Sequence, residues 1–142
     1  MTIATILATK GGDVVTVTAE HSVAEALKLL AERRIGAVPV MQGDRVAGIF
    51  SERDVIHCLA EHGAAGLDRP VGDAMTAPVI AVARDEAALG ALTLMTRRRI
   101  RHLPVVENDR LVGFVSIGDL VKYRIDKIEA DAEAMRAYIQ TA

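Results

Sequence analysis

A shift of 65 residues lays positions 15–54 of this 142-residue chain over positions 80–119 without a gap, and 14 of the 40 pairs are identical. Ordinary amino-acid usage gives roughly three by chance. The matches include Leu27 with Leu92, Arg33-Arg34-Ile35 with Arg98-Arg99-Ile100, Pro39-Val40 with Pro104-Val105 and Asp44-Arg45 with Asp109-Arg110. Gly48, Ser51 and Asp54 meet Gly113, Ser116 and Asp119. Pairs that differ often stay apolar, as Leu30 with Met95 and Ile49 with Phe114 do, so the core pattern is duplicated too. Two copies are too few for a solenoid, and the halves are expected to pack against one another about a pseudo-twofold axis.

Inside one copy the local signals are short. Val14, Val15 and Val17 suggest a brief β-branched strand. Ser22 and Glu25 form a capping box before the apolar stripe Val23, Ala26, Leu27 and Leu30, which predicts a helix to about Arg34. Ala37 to Met41 and Val46 to Phe50 read as strands joined by a turn at Gln42-Gly43-Asp44, and Ser51 opens a second helix. Pro39 and Pro104 suggest that their strands lie at sheet edges. The expected fold class is α/β (α+β): two β-α-β-β-α units, 1–68 and 69–142. A short extra helix carries Ile3, Ile6 and Leu7 ahead of the first unit, and Gly11-Gly12 stops it. At the other end Val121, Ile125, Ile128, Ala132, Met135 and Ile139 recur at spacings of four and three, an apolar seam that serves equally to cover the unit's own core or to meet another subunit.

A formal charge of −2 gives no basic surface for nucleic acid and no polybasic membrane patch. No run is long enough to span a bilayer, and two Phe, two Tyr and no Trp offer no stacking platform for single strands. Cys58 stands alone, so no internal disulfide forms and a reducing, cytoplasmic setting is expected. No Cys/His spacing suits zinc, and no nucleophile, base and orienter group together, so neither a metal centre nor an enzyme is expected.

Chemistry concentrates where each returning strand ends: Gly48-Ile49-Phe50-Ser51-Glu52-Arg53-Asp54 and Gly113-Phe114-Val115-Ser116-Ile117-Gly118-Asp119. A helix start presents unpartnered N–H groups and the positive end of its dipole, which together suit a phosphate. The carboxylate three residues after each Ser can accept two hydrogen bonds and so suits the paired hydroxyls of a ribose. Ser-x-x-Asp is equally a capping pattern, closing the helix with its own side chains.

With these units in this order, Ile100-Arg101-His102-Leu103-Pro104-Val105 and the two Ser-x-x-Asp junctions, the chain resembles a tandem pair of cystathionine beta-synthase (CBS) domains, the Bateman module, of the stand-alone type. The resemblance implies a non-catalytic sensor that binds an adenine nucleotide (AMP, ADP, ATP or NAD(H), with S-adenosylmethionine less expected) in clefts between the repeats. A homodimer and an unidentified regulated protein are the partners it implies. Carried over, one site would use Ser116 and Asp119 with Gly118, Arg101 and His102 toward phosphate, Ile100, Leu103 and Ile117 around the base, Pro104 next to them on the strand, and the linker at Thr76. The other would use Ser51, Arg53 and Asp54 with Gly36, Ala37, Val38 and Val15. The second-repeat site, richer in cations, is expected to be the better one for a phosphorylated ligand.

Overall fold

The computed structural model describes residues 1–141. It is a mixed α+β molecule built as two repeats about a pseudo-twofold axis. The first repeat contains β1 (Val17–Thr18), α2 (Val23–Arg33), β2 (Ala37–Gln42), β3 (Arg45–Ser51) and α3 (Glu52–His62), preceded by α1 (Ile3–Lys10). A 3-10 turn at Gly63–Asp68 and the short α4 (Val71–Ala74) lead to the second repeat: α5 (Ala88–Arg98), β4 (His102–Glu107), β5 (Arg110–Ser116) and the long α6 (Ile117–Thr141).

The duplicated sequence produces duplicated hydrogen bonding. β2 pairs antiparallel with β3 and β4 with β5 in the same register, each ladder shifting once, at Val40/Met41 and at Val105/Val106. β1 pairs parallel with β2, Val17 opposite Val40. Its counterpart in the second repeat shrinks to one parallel bridge, Val82 opposite Val105. The β-branched run at Val14 and Val15 therefore enters the sheet only from Val17. Pro39 and Pro104 are buried and lie on strands with partners on both sides, not at edges. A proline fits because its missing N–H falls just before the short parallel partner begins, where no ladder bond is needed.

Each repeat has its own core. Val17, Val23, Ala26, Leu30, Val38, Val40, Phe50, Val55, Cys58 and Val71 form one. Val82, Ala88, Ala91, Met95, Leu103, Val105, Val115 and Leu120 form the other, together with Ile3, Ile6 and Leu7 of α1. The flanking segments are thus exchanged relative to chain order. The N-terminal helix, grouped by sequence with unit 1–68, covers the second repeat, while Val71 of α4, grouped with unit 69–142, covers the first. Backbone bonds fix both arrangements: Ile3 N–H donates to Glu86 O at 2.9 Å, and Val71 N–H to His21 O at 2.7 Å.

Matched glycines make room for these segments. A methyl group at Gly113 would lie 2.6 Å from Leu7 Cδ2, and one at Gly48 2.6 Å from Met75 Sδ and 2.9 Å from Thr76 O. Such separations force a neighbour to move. Gly113→Ala is expected to lower unfolding free energy by about 1–3 kcal/mol in a urea titration. Part of that loss should return in Leu7→Ala/Gly113→Ala relative to the sum of the single changes, since the two side chains compete for one space.

Candidate functional site

The two Ser-x-x-Asp junctions are built alike. Ser51 N–H donates to Asp54 Oδ2 at 2.9 Å, and Asp54 N–H to Ser51 Oγ at 3.4 Å. Ser116 N–H donates to Asp119 Oδ2 at 2.8 Å, and Asp119 N–H to Ser116 Oγ at 3.1 Å. Both are capping boxes, as the sequence pattern allowed. Each first helical amide is tied to the hairpin's other strand: Glu52 N–H donates to Gly36 O at 3.0 Å and Ile117 N–H to Arg101 O at 2.8 Å.

What lies beyond each carboxylate differs. Asp54 Oδ1 accepts from the Thr76 hydroxyl at 2.9 Å. It faces a cleft of about 460 Å³ lined by Ile49, Ser51, Glu52, Arg53 and Ile56 from one side and by Pro78, Val79, Ile80, Arg99, Ile100, Arg101 and His102 from the other, with Gly36 and Thr76 between. That volume lies in the usual range for small-molecule sites. Ile49, Ile56, Val79, Ile80 and Ile100 give it apolar walls. Three guanidinium groups, Arg53, Arg99 and Arg101, oppose Glu52 and Asp54, and none of the three forms an ion pair among the described residues. Such groups suit bidentate contact with phosphate oxygens. Arg99 also holds a left-handed backbone, φ 55° and ψ 41°, at the end of α5, a position that glycine fills without strain.

At Asp119 a cation already stands against the carboxylate. Lys10 Nζ, at the end of α1, donates to Asp119 Oδ2 at 2.6 Å and to Phe114 O at 2.7 Å. Burial pushes the Asp119 carboxyl up, but the Lys10 hydrogen bond, the Ser116 amide and the Lys10 charge together outweigh it and hold the group below its ordinary value. His102 lines the Asp54 cleft and pairs across the ladder with Ser116 of the other junction. Its half-buried ring stacks on Phe114 with centroids 5.5 Å apart, and its Cε1 lies 3.6 Å from where a methyl group on Gly36 would stand. Burial, then Lys10 and Arg101, lower its pKa against the opposing pull of Asp119, so at neutral pH the ring is uncharged.

This geometry regroups the residues named from sequence. Gly36, Ser51, Arg53, Asp54, Thr76, Ile100, Arg101 and His102 come together in one cleft. Ile100, Arg101, His102 and Thr76, carried over from sequence to the Asp119 site, thus line the cleft that Asp54 faces, while Arg101 and His102 also touch the Asp119 junction through Ile117 N–H and Ser116. The physical reason is the pseudo-twofold packing, which brings the start of β4 across to the start of α3. Ala37, Val38, Leu103 and Pro104 are buried in the sheets and do not line this cleft, and Val15 packs against the first core. Ser116, Ile117, Gly118 and Asp119 remain together at the start of α6, with Lys10 on the carboxylate. Sequence reasoning missed Lys10, Ile56, Val79, Ile80 and Arg99. The 65-residue shift carried a signal for the first: Lys10 corresponds to Met75, beside the Thr76 that reaches Asp54.

The chain belongs to the CBS-domain family, whose model (CBS domain) matches residues 4–61 and 71–126. It is 33% identical over 148 residues to the CBS domain-containing protein CBSX3, mitochondrial, of Arabidopsis thaliana, covering 98% of this chain and 72% of that one. Its fold matches the crystal structure of the CBS-domain containing protein ATU1752 from Agrobacterium tumefaciens with a TM-score of 0.84 and 42% identity, over 87% of this chain and 99% of that chain. Two solved relatives contain ligands. CBSX2 was crystallised in complex with AMP (TM-score 0.71, 26% identity, 80% and 89% covered). The CBS pair of MJ0100 was crystallised with 5-methylthioadenosine and S-adenosyl-L-methionine (TM-score 0.79, 25% identity, 89% and 98% covered). Among the described residues no helix is long and apolar enough to cross a membrane, and no cluster of side chains suits a metal ion.

The Lys10–Asp119 pair sets a pH dependence. A carboxyl whose folded pKa is depressed contributes stability that is complete above its unfolded value, near 3.8, and is lost as pH falls through the lower folded value. Lys10→Met should therefore be less stable than the parent at pH 7, by no more than about 1 kcal/mol for a part-exposed pair. The difference should close below pH 4 in parallel denaturant titrations.

Proposed function

We propose that this chain is a non-catalytic regulatory module that binds an adenine nucleotide between its repeats, as a homodimer acting on another protein. The observation that carries this reading is the joint one: a cleft of about 460 Å³ with a capped carboxylate at one end, aliphatic walls and three unpaired guanidinium groups. Asp54 takes the ribose hydroxyls. Three of its roughly four acceptor positions are filled, by Ser51 N–H, the Ser51 hydroxyl and Thr76, so a ribose uses the remaining one or displaces Thr76. The base lies between Ile56 and the Ile80–Ile100 wall, and the phosphates meet Arg53, Arg99 and Arg101. AMP, ADP, ATP and NADH all meet that description. S-adenosylmethionine suits it less, because its sulfonium would face the same guanidinium groups. Asp119 is the poorer seat, since Lys10 holds it. The near-neutral net charge and the lone, buried Cys58 favour work in the cytoplasm, without nucleic acid or membrane.

A second reading, a structural dimerisation module without a physiological ligand, is favoured by the capping boxes themselves, which already give both carboxylates a use. Calorimetric titration and melting curves with each nucleotide separate the two, because a ligand at 100 times its dissociation constant adds about 2.7 kcal/mol. Asp54→Ala is expected to abolish AMP binding while Asp119→Ala retains it, and the reverse result would move the ligand to the Asp119 junction. Absence of binding by every nucleotide supports the scaffold. Arg99→Gly should weaken AMP binding about tenfold or more but leave adenosine binding and the melting temperature unlowered, because it removes a phosphate contact together with a strained left-handed residue.

A further inference from the structure

α6 outgrows the repeat it starts in. Leu120 is its buried residue, and from Arg124 to Thr141 its side chains are exposed apart from Lys127 and Ala132, which are half-buried. At 1.5 Å per residue this is an overhang of about 25 Å. The seam found in the sequence runs along it and does not cover the core: Val121, Ile125, Ile128, Met135 and Ile139 are 42–66% exposed.

Spacings of four and three place Ile125, Ala132 and Ile139 at one core position of a heptad and Val121, Ile128 and Met135 at the other. The flanking charges then decide the partner and its direction. In a parallel, in-register pair each residue just before the first core position faces the residue five places later on the other helix. That sets Arg124 against Glu129 and Asp131 against Arg136, opposite charges in both cases and repeated by symmetry. A fully overlapped antiparallel pair instead sets Lys122 against Arg136, Glu129 against Glu129 and Asp131 against Asp131, all repulsive. We infer that the exposed seam of α6 joins a second copy of this chain in a parallel, in-register two-stranded coil, which sets two modules side by side at the same end. With β-branched residues at both core positions the core alone does not set the strand number, and two strands follow from the twofold symmetry that is the common form of a homo-oligomer. With only three heptads the association depends on concentration. The proposal needs no nucleotide and stands apart from the reading of the cleft.

Two measurements on the full chain test it. In a Cys58→Ser background, mild oxidation of Ile139→Cys should give a disulfide-linked dimer, since parallel register brings position 139 beside its copy while the antiparallel arrangement separates the two by about 27 Å. In sedimentation equilibrium, Arg124→Glu and Glu129→Lys should each weaken self-association about tenfold, and an equimolar mixture of the two should recover it, because every facing pair is then of opposite charge. The proposal is overturned if the parent chain is monomeric at tens of micromolar, if the Ile139→Cys chain does not cross-link, or if the mixture stays as weak as its components. A monomeric parent would leave the seam to a different protein.

Discussion

The close seating of a flanking segment over a glycine in each hairpin is the contact on which the rest of the molecule depends. Gly48 lets the linker lie against β3, where Ile49 and Thr76 exchange backbone bonds of 2.8 and 3.0 Å. Gly113 lets Leu7 of α1 lie against β5. Neither segment could approach a larger residue so nearly, and the approach delivers a side chain to each Ser-x-x-Asp junction. The linker delivers the Thr76 hydroxyl to Asp54, and α1 delivers the Lys10 ammonium to Asp119. Two junctions that are equal in sequence and in capping thus become unequal in chemistry. A neutral hydroxyl can give way to another hydroxyl at little electrostatic cost, whereas displacing an ammonium leaves a part-buried carboxylate without its counter-charge.

The cations of the second repeat line the same cleft as the first repeat's carboxylate. Arg99, Ile100, Arg101 and His102 sit where α5 ends and β4 begins, and the pseudo-twofold packing of β3 against β5 carries this corner across to α3. His102 stays neutral because burial and the nearby cations outweigh Asp119. The positive character of the cleft therefore rests on the three arginines, which keep their charge at any ordinary pH.

Much of the fold was legible in the chain because the 65-residue shift preserves what specifies register: Pro39 and Pro104, Gly48 and Gly113, and the alternation of buried residues along β3 and β5. Helix α2 ends at Arg33, close to the Arg34 that its apolar stripe predicted, and its twin α5 ends at the matching Arg98. The grouping of the site was not legible. A repeat seen in sequence assigns neighbours by copy, and nothing in Arg101 or His102 records that packing about the axis places them beside Asp54. The destination of α1 was hidden for the same reason. Ile3, Ile6 and Leu7 declare an apolar face without declaring which of two similar cores it covers. Ala37, Val38, Leu103 and Pro104 were misplaced because β2 and β4 are covered on both faces, so that consecutive residues of these strands are buried.

A cleft whose walls come from both repeats has a consequence for how occupancy could be transmitted. A ligand in it would meet Asp54, Arg53 and Ile56 of the first repeat on one side and Arg99, Arg101, Ile80 and Ile100 of the second on the other. A small change in how the repeats sit alters both sets of contacts at once, so states that differ in packing also differ in affinity. Such a difference is the one condition under which binding shifts a conformational equilibrium, and each 1.4 kcal/mol of it corresponds to about a tenfold change in population. A ligand held by one repeat alone would lack that leverage. The exchange of neighbours about the axis, which defeats assignment by sequence copy, is therefore also what makes a bridging ligand able to report on the relative position of the two halves.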